Sequence, residues 1–246
     1  MKTILLLLVF NHSLAQSLIK NGSFENYDSI PTADGQLPLA KGWQDIQSAD
    51  YFHTLSPPNV NIPNSFLGII PAASEGMAYA GIVSYMKGYT NYREYLIQKL
   101  KLPLVQGKYY TVSLKAITVI PNPLYGGLVA DHFGILFSTV KPQASNGWVQ
   151  QVPQCTYAGQ LYASQWKQLT FQLYADSAYK YISIGCFVND SIQQRLLVNT
   201  PLLFECAYTL IDDVQMYEGS VAGVEENFDQ KINSKLIYDL LGRKLK

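Results

Sequence analysis

The first residues with chemistry in them are Asn21-Gly22-Ser23-Phe24-Glu25, where a carboxylate stands directly beside an aromatic anchor after an Asn-Gly turn. On an alternating strand Phe24 and Glu25 face opposite sides, so the acid needs water or a partner. Acids for such a pairing recur near the other end, in "AYTLIDDVQMYEG". Aromatic rings that could stack on sugar faces gather elsewhere. They are Trp148 in the turn "SNGWVQ", Tyr85, Tyr89, Tyr92 and Tyr95 in "SYMKGYTNYREY", and Tyr51, Phe52 and His53. Arg93 and Glu94 read as a solvated pair or a loop tie.

Catalytic residues are not marked. There is no G-x-S-x-G, no H-E-x-x-H and no phosphate loop, and His53 and His132 lie far apart. Asp131-His132 precedes a strand, where neighbouring side chains diverge, which argues against a triad. A carboxylate pair for glycoside cleavage would leave no motif, because its mark is a distance in space. Cys155, Cys186 and Cys206 lack zinc-like spacing. They admit one disulfide or three buried thiols.

The elements that must carry these residues are strands. "GKYYTVSLKAITV" puts Tyr110, Val112, Leu114 and Ala116 on one face and Tyr109, Thr111, Ser113 and Lys115 on the other. "WKQLTFQLYA" alternates through Leu169, Phe171, Leu173 and Ala175, and "KYISIGCFV" through Ile182, Ile184, Cys186 and Val188. The last strand reads as one face from Phe204 through Cys206, Tyr208, Leu210, Asp212, Val214 and Met216. "MAYAGIVSY" and "HFGILFS" are apolar enough for central strands. Between them lie long turn-rich stretches such as "YDSIPTADGQLPLAKG", "TLSPPNVNIPNS" and "IPNPLYGG", and loops of this length are often functional. The class is all-β.

Of 246 residues, 18 are Lys or Arg and 18 Asp or Glu, so no long-range field favours nucleic acid. Eighteen tyrosines beside only 15% charged residues suit a sheet with a Tyr-, Ser- and Asn-rich surface. Residues 1–15 read as a signal peptide: a basic start, the apolar run Ile4 to Phe10, and Ser13-Leu14-Ala15 before cleavage. That run is too short to span a bilayer, so no membrane span is expected. Composition turns polar near Glu218-Gly219-Ser220. The domains are therefore 1–15, a single domain over 17–218, and a linker and tail over 219–246.

"NGSFE", "GW" at Gly42-Trp43, "YREYLIQKLKLPLVQGKYYTVSLKA", "YISIGCF" and "LIDDVQMYE" occur in an order that resembles the galactose-binding-like jelly-roll domains, the fold of many carbohydrate-binding modules. "ADYFH", "AYAGI" and "REYL" resemble secreted surface proteins of bacteria with the type IX secretion route, and "KLIYDLLGRKL" resembles part of that route's sorting domain. The resemblance implies a jelly-roll β-sandwich of two antiparallel sheets with long loops. It also implies a structural calcium (Ca2+) held by Glu25 and by Asp212 or Asp213, with core roles for Trp43 and Trp166. The function expected is a secreted or cell-surface, non-catalytic module binding glycan or another extracellular ligand through Trp148, Tyr89, Tyr92, Tyr51 and His53. The alternatives are a secreted hydrolase of carbohydrate or ester groups, and a structural surface protein without a small ligand.

Overall fold

The computed structural model describes residues 16–118, 125–200 and 203–219. The signal-peptide and sorting-tail expectations therefore fall outside the described residues. A short 3-10 turn, Leu37–Leu39, precedes fourteen strands. These are β1 (Trp43–Ile46), β2 (Asp50–His53), β3 (Asn64–Ser65), β4 (Gly68–Ile69), β5 (Ala78–Met86), β6 (Tyr95–Lys99) and β7 (Tyr109–Thr118). Then follow β8 (Tyr125–Ala130), β9 (Phe133–Ser138), β10 (Cys155–Thr156), β11 (Lys167–Tyr174), β12 (Tyr181–Cys186), β13 (Arg195–Leu197) and β14 (Phe204–Glu218).

Two sheets form the sandwich. One runs β1-β6-β12-β9-β10 and the other β11-β7-β14-β5-β2, every neighbour antiparallel. The chain changes sheet at β1 to β2, β5 to β6, β6 to β7, β8 to β9, β10 to β11, β11 to β12 and β12 to β13, which is the jelly-roll habit. One pairing departs from the expected all-antiparallel pattern: β8 lies parallel on the start of β14 and carries β13 on its far edge. The first half of β14 cannot reach β7, whose ladder begins only at Thr209, so β8 satisfies that stretch of backbone.

The apolar alternation buries as its period requires. Val112, Leu114 and Ala116 of β7, Leu169 and Leu173 of β11, Ile182 and Ile184 of β12, and Ala78, Ala80 and Ile82 of β5 meet in the main core. Trp43 belongs to that core, stacked 5.0 Å from Phe24, and its Nε1 donates to the Asn21 carbonyl at 2.8 Å. Trp166 is half-buried, edge-on to Tyr79. All three cysteines are buried and free, which decides between the two sequence alternatives. A second apolar cluster lies on the outer face of the larger sheet. There Val60, Ile62, Leu67 and Ile70, from the long loop between β2 and β5, cover Phe52, Tyr79, Tyr208 and Leu210.

The single inward face expected for the last strand does not persist. Cys206, Tyr208 and Leu210 join the outer cluster, whereas Ile211, Val214 and Met216 join the main core. The β7 ladder slips between Asp212 and Gln215, with Asp213 at φ 49°, and this bulge reverses the parity of the strand. Both chain ends are then tied together: the Leu18 amide donates to the Met216 carbonyl at 2.7 Å and the Val214 amide to the Gly22 carbonyl at 2.9 Å. A Cβ on Gly22 would stand 1.8 Å from the Val214 carbonyl oxygen, so backbone meets backbone there. Gly22→Ala is expected to lower stability by about 1–3 kcal/mol, the usual cost of overpacking. Denaturant unfolding of the two proteins side by side measures it.

Candidate functional site

The outer face of the larger sheet holds a cavity of about 250 Å³. Its floor is built by a substitution of space for side chain. Gly81 of β5 faces Asp50 of β2 on one side and Leu210 of β14 on the other. A Cβ there would sit 2.3 Å from the Tyr208 hydroxyl oxygen and 2.9 Å from the Phe52 ring. The missing side chain lets Tyr208 lie across β5 and donate its hydroxyl hydrogen to Asp50 Oδ2. The Gly35 amide donates to Asp50 Oδ1 at 2.6 Å.

A second carboxylate closes the other side. Glu94, just before β6, accepts the Val83 amide on Oε2 at 2.8 Å. Its Oε1 takes the Tyr92 hydroxyl at 2.8 Å and the Ser48 hydroxyl at 2.9 Å. Phe66 from the covering loop and Tyr125 from β8 supply apolar walls. The cavity reaches the surface at Asp34 and Asn59, whose side chains meet at 3.4 Å.

Asp50 and Glu94 are only 4% and 3% exposed, and among the described residues no basic side chain lines the cavity. Desolvation pushes the Asp50 carboxyl up to about 8, with the Glu94 charge adding to the rise and the Tyr208 and Gly35 hydrogen bonds opposing it. Burial raises Glu94 as well, against the pull of its Val83, Tyr92 and Ser48 donors. Two like charges in so dry a place do not both ionise readily. Near neutrality the pair retains a proton.

Of the expected ligand residues, Tyr92 is part of this wall, and exposed Tyr89 sits edge-on to it at 6.1 Å. The Trp148 turn packs on the same loop, the Arg93 amide donating to the Gly147 carbonyl at 3.2 Å. Tyr51 and His53 are corrections: both are wholly buried. Strand β2 is covered on each face, so Tyr51 points into the main core with its hydroxyl on the Phe24 carbonyl at 2.8 Å, and His53 Nδ1 accepts the Leu55 amide at 3.0 Å. Of the two expectations for Arg93 and Glu94, the loop tie holds and the solvated pair does not. Adjacent side chains diverge, and the buried Arg93 reaches Asp190 at 2.8 Å and Gln193 at 3.0 Å instead. Asp131 and His132 occupy the turn between β8 and β9, not a strand, with His132 at φ 58° and 2.7 Å between Nδ1 and Oδ1. Asp50, Tyr208, Phe66 and Tyr125 carried no sequence signal, since their meeting depends on strand order and on the vacancy at Gly81.

The acids expected to hold a metal lie at the opposite end of β5. Glu25 Oε1 accepts the Met77 and Ala78 amides at 2.8 and 2.9 Å, and Asp212 Oδ2 accepts the Glu75 amide at 3.0 Å. Acids from both chain ends thus clamp one loop, residues 74–78. Asp213 departs from them, since its bulged backbone turns it toward Gln215 and, at 3.8 Å, Lys115. Asp212 is wholly buried, and desolvation raises it to about 7 against three backbone hydrogen bonds. Among the described residues no three His, Cys, Asp or Glu side chains converge in a metal-binding group.

No protein family and no curated relative matches the sequence. Solved structures do. The CBM22-1 xylan-binding domain of Paenibacillus barcinonensis Xyn10C is 13% identical, with 85% of this chain and 97% of that one covered and a TM-score of 0.44. The K3 cleaved adhesin domain of Porphyromonas gingivalis Lys-gingipain is 19% identical over 82% of this chain and 99% of that one, with a TM-score of 0.45. The CBM22-1–GH10 modules of Clostridium thermocellum xylanase 10B, complexed with xylohexaose, are 10% identical at a TM-score of 0.40, covering 73% of this chain but 26% of that one. At such identities and scores these likenesses bear on no ligand.

Acids raised by burial stabilise the fold while protonated, and that contribution fades as pH climbs through their folded values. Stability is therefore expected to fall from pH 5 to pH 9, with Asp50 and Asp212 contributing most. Thermal melts across that range should show a flatter slope in Asp50→Asn than in the parent protein.

Proposed function

We propose that this chain is an extracellular, non-catalytic β-sandwich that binds carbohydrate in the Asp50–Glu94 cavity. The observation that carries the reading is the pairing of hydroxyl-matching groups with ring walls in one cavity. Carboxyl oxygens of Asp50 and Glu94 and the hydroxyls of Ser48 and Tyr92 stand beside Phe66 and Tyr125, with Tyr89 exposed next to Tyr92. At about 250 Å³ the space suits one sugar unit rather than a chain. The apolar run Ile4 to Phe10 supports export. Xylan and xylohexaose, named for two of the neighbours, belong in the first panel of ligands tried.

A calcium ion at the loop 74–78 belongs to the same reading. Its support is that Glu25 and Asp212 reach one loop, and that buried Asp212 carries a raised carboxyl with no cation beside it. Glu25 and Asp212 would hold the ion, with loop carbonyls and water completing the 6–8 oxygens calcium takes. The ion would supply only positive charge at the chain ends. Chelation at pH 7 should lower the melting temperature and added calcium should restore it; an unchanged melt leaves the amides as the loop's sole partners.

One observation favours a second reading: two carboxyls in one pocket with a retained proton are also the equipment of a glycoside hydrolase. Affinity electrophoresis through soluble polysaccharides separates the readings. Retardation without product, weakened roughly tenfold by Tyr92→Ala in a protein whose melt is otherwise cooperative, supports binding. Product release abolished by Glu94→Gln replaces it with hydrolysis.

A further inference from the structure

The charge inside the cavity is one-sided. Asp34, Asp50 and Glu94 line it, and among the described residues the hydrogen bonds to Asp50 and Glu94 come from neutral donors: amides, tyrosines and a serine. The nearest basic residue in sequence, Arg93, is committed to Asp190 and Gln193, and Lys87 is paired with Glu205 at 2.7 Å. With a formal net charge of zero for the whole chain, this acidity is local to the cavity.

The rings give an independent observation. Phe66 stands at 86° to Tyr125, centroids 5.5 Å apart, and at 82° to Tyr208, centroids 6.3 Å apart. Tyr92 adds a fourth ring to the lining. Perpendicular aromatic walls with a carboxyl floor are what an organic cation requires, since ring faces and carboxylates both attract positive charge. A bare metal ion needs a shell of oxygens, which these walls do not offer. A neutral sugar would leave the buried charge uncompensated.

We propose that the cavity is selective for an organic ammonium group carried on a sugar, a 2-amino-2-deoxyhexose unit whose ammonium lies between Glu94 and Asp50 and whose ring faces Phe66 and Tyr125. This rests on the carbohydrate reading above and specifies its ligand class. Binding draws the retained proton off the carboxyl pair, because the ligand's charge replaces it.

The test compares four probes by calorimetry at pH 7 and 150 mM salt: a glucosamine oligomer, the matching N-acetylglucosamine oligomer, the matching glucose oligomer, and choline. The glucosamine oligomer should bind at least tenfold more tightly than the acetylated and neutral ones. Asp50→Asn and Glu94→Gln should each erase that preference while melting cooperatively. Equal binding of the neutral or acetylated oligomer overturns the ammonium assignment and leaves the carbohydrate reading standing. Choline binding without any sugar binding keeps the ammonium site and overturns the carbohydrate reading. No binding by any of the four overturns the ammonium assignment, the carbohydrate reading being decided by the polysaccharide panel above, and because the comparison is made on the unmodified protein, a variant that fails to fold does not obscure it.

Discussion

The backbone of β14 is the constraint on which everything else hangs. Along its 15 residues it must pair with β5 on one edge and with β8 and then β7 on the other, while also receiving the segment Leu18 to Gly22 at Val214 and Met216. No straight, evenly alternating strand could satisfy all four. Two register slips, at Ala207/Tyr208 against β5 and at Asp212/Gln215 against β7, solve the conflict by re-aiming side chains. Tyr208 keeps the outer face it shares with Cys206 and Leu210, the second slip delivers Val214 to the core, and Asp212 is left buried against the loop 74–78.

Burial of charge is handled in two ways in this molecule. Arg93 is wholly buried, but it meets an aspartate, a glutamine and a backbone carbonyl, so its charge is neutralised within the fold. Asp50 and Glu94 have only neutral donors, and their charge is limited by retaining a proton. A carboxyl pair arranged this way contributes less to stability than an ion pair or an apolar replacement could, a cost consistent with the ligand site proposed above.

Several features were legible before any coordinates. The alternating strands of β7, β11 and β12 bury the faces their patterns name, because a period of two projects directly onto a pleated sheet. The core position of Trp43 is what the family resemblance implied. Glu25 and Asp212 were expected to share one oxygen-rich pocket; in the fold each accepts amides of one loop, at Glu75 for Asp212 and at Met77 and Ala78 for Glu25. Where the reading went astray, adjacent elements decided the outcome. Tyr51 and His53 looked available until a loop and the main core closed over both faces of β2, and Glu94 looked solvated until Ser48, Tyr92 and Val83 surrounded it.

By itself, then, the amino-acid sequence determined an all-β chain with long loops, no long-range charge field and an alternation that builds one core, since composition and local period are properties of consecutive residues. Tertiary structure alone decided the cavity. Its two acids are 44 positions apart by number, its deciding tyrosine sits on the last strand, and its floor exists because Gly81 has no side chain to fill it. Such a meeting depends on which strands neighbour one another and where a bulge reverses parity, and no pattern within a short window encodes either.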